Sequence, residues 1–202
     1  MKNKITFILI LALAFACTTH QKISFNKNWS GKVTTTIDMT QLAQLAGADA
    51  EESETVLNDS INKLKIESLK KIEGIKKVNI ESNASQISVL SYEFDDINAL
   101  NASAFLFSQE MIQDPMHTFF KVNGKELEVN IPNLKSEETT EGDMGLGDQF
   151  LYQMELEFAR KIKSFKSTCD TIIQNDNTLL IKTNLTNLSN KEKTHKTTIK
   201  LK

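Results

Sequence analysis

The sequence predicts an α+β fold. Three patterns carry that reading. Segments of period two are rich in β-branched and aromatic residues, as in Val33-Thr34-Thr35-Thr36-Ile37. Two segments, from Leu57 to Ile72 and from Ile97 to Met111, carry apolar residues at spacings of three and four. An Asn123-Gly124 pair stands between two apolar runs, a strong hairpin signal. Through residue 122 the order is strand, helix, strand, strand, helix, strand, the split βαβ order of ferredoxin-like folds. Two right-handed crossovers would lay both helices on one face of an antiparallel sheet. A β-rich C-terminal part follows.

The first strand is expected around Val33, Thr35, Ile37 and Met39, with Gln41 to Asp49 a loose helical turn. Glu51, Glu52 and Glu54 open the first helix and Lys70 and Lys71 close it, the arrangement the helix dipole favours, and Gly74 stops it. Val78 and Ile80 mark a strand and Ser82-Asn83-Ala84-Ser85 a turn. Ile87, Val89 and, after a slip, Tyr92 and Phe94 mark the next strand. Asp95 or Asp96 is the N-cap of the second helix, which ends at Asp114-Pro115. The hairpin about Asn123-Gly124 joins Phe119 to Val122 with Leu127 to Ile131. Residues 135–148 are an acidic, Gly-rich loop. Phe150 to Phe158 alternates as a strand, and Ile162 and Phe165 extend it. A second hairpin turns at Asn175-Asp176-Asn177, Leu185 and Leu188 make a short crossover, and Thr198 to Lys202 is the last strand.

The start of the chain is an address. Lys2 and Lys4 precede an apolar run from Ile5 to Ala16, broken only by Thr6, and Cys17 follows. That is the order of a signal peptide. The run is shorter than the roughly 20 residues a membrane-spanning helix needs. Two cleavages compete. Ala14-Phe15-Ala16 fits an A-x-A site that would release a free protein, and a Cys17–Cys169 disulfide is then open. Alternatively Cys17 is lipidated and becomes the new N-terminus, leaving Cys169 an unpaired thiol packed in the core. Acyl chains at about 0.8 kcal/mol per buried methylene would hold such a protein to a membrane. The expected organisation is a signal peptide at 1–16, a lipidated N-terminus and tether at 17–28, and one α+β domain at 29–202, with 135–148 the place where it would divide.

Charged residues are 25% and hydrophobic residues 40%, the balance of a globular chain. The formal charge is −2, and loss of Lys2 and Lys4 makes it more negative, which argues against a nucleic-acid binder. Lysines cluster at Lys63 to Lys77 and at Lys191 to Lys202. Solvated surface accounts for both clusters; contact with anionic lipid headgroups or polysaccharide is the sharper alternative.

Leu13-Ala14-Phe15-Ala16-Cys17 resembles the lipobox of bacterial lipoproteins, with Ala14 and Phe15 where an aliphatic and a small residue are usual. By the same resemblance, Thr18 rather than Asp after the cysteine implies the outer membrane. Tyr92 to Asn101 resembles the strand-to-helix step of small lipoproteins of Bacteroidota. Met154 to Ser164, with Asn175 to Leu179, resembles their C-terminal strands and, more distantly, those of LppM-type lipoprotein domains. A proline often follows the Phe in those families; here Ala159 does. The resemblance implies an envelope lipoprotein with an α+β domain and transfers no active-site residue. Asp59-Ser60-Ile61 and Asp170-Thr171-Ile172 resemble an O-glycosylation signal of Bacteroidota.

No catalytic constellation emerges. His20, His117 and His195 show no metal-ligand spacing, and the cysteines form no CxxC. The acids between Glu137 and Asp148 lack the EF-hand order. There is no G-x-S-x-G elbow, and Gly142, Gly145 and Gly147 do not make a phosphate loop. Cys169 has no adjacent base, and Phe105, Phe107, Phe119 and Phe120 read as core. Trp29 reads as an edge plug of the core, and Met144 to Gly147 as an apolar loop tip. The expectation is a non-enzymatic outer-membrane lipoprotein, attached through lipid on Cys17, that binds an unidentified protein or small molecule, with no cofactor, metal or nucleic acid. The alternative is an envelope or secreted hydrolase whose carboxylates converge only in three dimensions.

Overall fold

The computed structural model describes residues 18–38, 66–82, 87–109, 112, 117–133, 151–169, 171–190 and 194–202. In chain order the elements are β1 (Thr18–Phe25), β2 (Gly31–Asp38), α1 (helical at 66–70), β3 (Ile75–Ser82), β4 (Ile87–Phe94), α2 (Ile97–Ser108), β5 (Phe120–Asn123), β6 (Glu126–Ile131), β7 (Leu151–Phe158), β8 (Ile162–Ser167), β9 (Thr171–Gln174), β10 (Thr178–Asn184), α3 (Leu185–Ser189) and β11 (His195–Leu201). The strands form a seven-stranded sheet, in order β3-β4-β2-β1-β7-β10-β9, and a four-stranded sheet, in order β5-β6-β11-β8.

The α+β class holds, but the ferredoxin-like order is not completed. β2, β3 and β4 lie as that order requires, with β4 antiparallel to both neighbours. The fourth strand would flank β2. Instead β1 takes that place and β5 joins the second sheet. The sheet is also not wholly antiparallel, because β1 and β7 run side by side in the same direction. Residues 18–25, expected as a polar tether, are therefore a central strand. Only Ile23 and Phe25 of that segment are apolar and buried; His20, Lys22 and Ser24 face the other way, which made it read as solvated.

Register explains the core. Val33, Ile23, Leu156 and Leu179 lie in one row across β2, β1, β7 and β10, each fully buried, and Tyr92 continues the row on β4. The second sheet contributes Leu127, Val129 and Ile131 from β6 and Ile199 and Leu201 from β11 to the same core. The slip expected near Tyr92 lies in the neighbouring strand. β4 pairs with β2 without interruption, whereas β3 shifts register between Lys76 and Asn79, with Lys77 in the left-handed region at φ 51°. That bulge kinks an edge strand and carries two lysines, features that deter pairing with another chain.

The N-cap of α2 is Asp96, whose carboxylate accepts from the Ala99 N–H at 2.9 Å. α2 is fixed to the second sheet by Asn101. Its amide donates to the Phe120 carbonyl and accepts from the Phe120 N–H, both at 2.8 Å, as a neighbouring strand would. Gly124 supplies the positive φ, 60°, that the β5–β6 turn needs. At Gly31 the constraint is space: a Cβ would stand 1.9 Å from the Ser24 carbonyl oxygen.

Candidate functional site

One end of the molecule gathers five turns and termini of strands. β1 and β7 both run toward it, so the β1–β2 turn and the β7–β8 corner meet there; the Ala159 N–H donates to the Phe25 carbonyl at 2.9 Å. The Trp29 indole N–H reaches the Gly124 carbonyl in the β5–β6 turn at 3.2 Å. The Ile162 N–H donates to Asp176 in the β9–β10 turn, and the N–H groups of Leu201 and Lys202 donate to the carbonyls of Lys125 and Lys161. These bonds bring Lys27, Lys125, Arg160, Lys161 and Lys202 to one surface.

Among the described residues, two carboxylates stand at these turns: Glu126, next to Lys125, pairs with Lys200 at 3.3 Å, and Asp176 lies in the β9–β10 turn. It pairs with Lys161 at 2.7 Å, which holds Asp176 below the usual carboxylate range and raises Lys161. Asp95 and Asp96 stand on the far edge of the same end. Asp95 pairs with Lys76 at 2.6 Å and Asp96 caps α2. Lys27 and Lys125 form no ion pair with a carboxylate among the described residues, whereas the charge of Lys202 adds to that of Lys161 in holding Asp176 low. Arg160 gives one N–H to the Lys27 carbonyl at 3.2 Å. Beside them lies an open recess of about 390 Å³ lined by Lys161, Ile162, Asn175, Asp176 and Lys202.

The solvent face of the seven-stranded sheet carries a second cluster. Lys22 on β1 lies 2.9 Å from Glu155 and 3.1 Å from Glu157, and the Ser24 hydroxyl donates to Glu157 at 2.9 Å. His20 stands 3.5 Å from Glu155. The hydrolase alternative asks for convergent carboxylates of raised pKa. Here Lys22 and Ser24 hold Glu157 low, and the two glutamates in turn raise Lys22.

The histidines do not converge. His20 lies in β1 rather than a tether, and His195 opens β11 rather than lying in a loop. His117 meets the Asn130 carbonyl at 2.9 Å. His195 is buried; its Nε2 lies 3.1 Å from the Asn187 carbonyl, and its Nδ1 has no hydrogen-bond partner among the described residues. Cys169 has no disulfide partner among the described residues; its half-buried thiol packs against the core, with the sulfur 3.6 Å from the Thr197 hydroxyl. No group of three His, Cys, Asp or Glu among the described residues has the placement of a metal site. Phe119 and Phe120 are buried, Phe105 and Phe107 pack on the core, and Trp29 packs edge-on against Phe25 at 5.9 Å.

Cys17, the acidic loop at 135–148 and Asp59-Ser60-Ile61 lie outside the described residues, as does Asp170 of the second glycosylation-like triplet. Sequence reasoning missed the cationic end because its members are scattered from Lys27 to Lys202. The pairing of β1 beside β7 assembles them, and no local pattern announces that.

No protein-family profile matches the chain, and no curated protein matches it. Among solved structures, the fold is similar to the NMR structure of the Mycobacterium tuberculosis LppM protein folded domain, with a TM-score of 0.47 and 9% sequence identity. The similarity covers 92% of this chain and 90% of that one.

Proposed function

We propose that this chain is a non-enzymatic lipoprotein of the cell envelope, held at the outer membrane by lipid on Cys17, whose α+β domain binds a partner or ligand. The observation that carries the reading is the charged start and apolar run ending on Cys17, one residue before β1 begins at Thr18. An anchor at that position leaves no spacer, so the domain sits at the lipid surface.

The test is expression of the full chain in a bacterium with two membranes, followed by fractionation and intact mass. The expected species starts at Cys17, carries acyl mass and sediments with membranes. The Cys17→Ala chain loses both the mass and the sedimentation. A native protein recovered soluble, with an unmodified Cys17 or cut at Ala16 without lipid, overturns the proposal.

A further inference from the structure

We propose that the cationic end is a docking surface for a carboxylate-bearing polysaccharide, presented on the side of the domain away from the membrane that holds Cys17. The orientation rests on the lipid anchor proposed above; the docking itself does not.

Three observations carry it. The first is charge: Lys27, Lys125, Arg160, Lys161 and Lys202 share this end and outnumber Asp176, which pairs with Lys161 and also feels Lys202. These cations come from four segments, the β1–β2 turn, the β5–β6 turn, the β7–β8 corner and the residue after β11, whose backbones are tied by hydrogen bonds. Arg160 uses one of its N–H groups on Lys27 and keeps others in the planar fork that matches a carboxylate.

The second is Trp29, the single tryptophan of the chain. It lies in the left-handed region at φ 66°, uncommon for a bulky residue, and such strain concentrates at ligand sites. Its indole N–H is fixed by Gly124 and its ring by Phe25, yet the side chain is only partly buried. A partly exposed aromatic ring held among cations offers an apolar face to a sugar ring and charge to its carboxylate.

The third is distance. β1 has eight residues, so its first and last are separated by about 23 Å at roughly 3.3 Å per residue. Cys17 is bonded to the residue that starts β1, and the cations lie beyond its other end. Screening at physiological salt acts over about 8 Å, so headgroups around the anchor exert little pull at that range. A polymer on the opposite side is within reach of these cations.

The probe is an oligogalacturonate, a chain of repeating sugar carboxylates, titrated into the purified native protein while tryptophan fluorescence is followed. Expected are a saturable change, its weakening by added salt, and about a tenfold loss of affinity in a Lys125→Gln/Lys161→Gln/Lys202→Gln variant. A Lys121→Gln/Lys182→Gln/Lys196→Gln variant, equal in charge but altered elsewhere, keeps native affinity. No saturable signal, or equal loss in both variants, overturns the docking site. In a second arm, Cys17→Ala protein is sedimented with phosphatidylglycerol vesicles. Binding there through the same three lysines, stronger than to the glycan, replaces the polysaccharide with a membrane and overturns the proposal. If Cys17 carries no lipid but the fluorescence result holds, the anchor fails and the docking site stands.

Discussion

The two faces of the seven-stranded sheet come from the same strands and obey opposite rules. On β1, Ile23 and Phe25 alternate with Lys22 and Ser24; on β7, Leu156 and Phe158 alternate with Glu155 and Glu157. Ile23 and Leu156 lie side by side with no exposed surface, inside a core where loss of a methylene is felt. Lys22 bridges Glu155 and Glu157 with about 40% of its side chain in water. The inner face therefore supplies the stability. The outer face supplies register, because a slip of one residue would turn Lys22 toward the core and Ile23 toward solvent.

The largest expected effect follows from breaking the inner face. Leu156→Ala removes a fully buried side chain from the middle of the five-strand row and should cost about 3 kcal/mol. In urea unfolding the midpoint falls with little change in slope. Glu155→Ala, its neighbour on the opposite face, should cost less than about 1 kcal/mol. Equal costs for the two would show that the faces do not divide their work in this way.

The sequence carried the elements better than their partners. Asp96, one of two N-cap candidates, the hairpin at Gly124 and the Asn175 to Asn177 turn depend on residues within a few positions; the hairpin turns at Gly124-Lys125, one residue later than the Asn123-Gly124 pair, with Asn123 in β5. β1 is hard to read because its outward residues are polar and, among its described side chains, Ile23 and Phe25 are the buried ones. β5 lies in the four-stranded sheet and not beside β2, because strand order is set by long-range pairing, which no window of residues contains. The cationic end was invisible for the same reason. Cys17 is the reverse case: its reading comes wholly from sequence, with the described structure beginning one residue later.

A finer contrast lies within the buried face, where the row of apolar side chains is continued by a polar one. Tyr92 is 2% exposed and its hydroxyl meets Ser103 at 2.9 Å. Burial pushes its pKa from 10 up to about 12. The fold thus keeps the proton that the unfolded chain releases at lower pH. The stability tied to this group is complete below pH 10 and is lost as pH rises toward 12, by roughly 3 kcal/mol. Urea unfolding followed from pH 9 to 12 should show that decline, and Tyr92→Phe should reduce it. Tyr152 is shifted in the same direction, also by burial, so part of the slope persists in the single variant. A Tyr92→Phe protein with an unchanged alkaline slope would mean that this hydroxyl does not keep its proton in the fold.

The smallest effect belongs to the outer face and has the opposite sign with pH. Lys22, then Ser24, hold Glu157 in its ionised form, below the usual carboxylate range. The stability from that group is present above its unfolded value of 4.5 and is lost as pH falls through the lowered folded value. Glu157 and Lys22 are each about 40% exposed, so water and salt screen the pair and its contribution stays below about 1 kcal/mol. Glu157→Gln should shift the urea midpoint slightly at pH 7 in low salt and not measurably below the native folded pKa, where Glu157 is itself neutral. In 1 M salt the Debye length is about 3 Å, and the difference at pH 7 should shrink. A cost that ignores both salt and acid would make the Ser24 hydrogen bond, rather than the charge of Lys22, what this face contributes at Glu157.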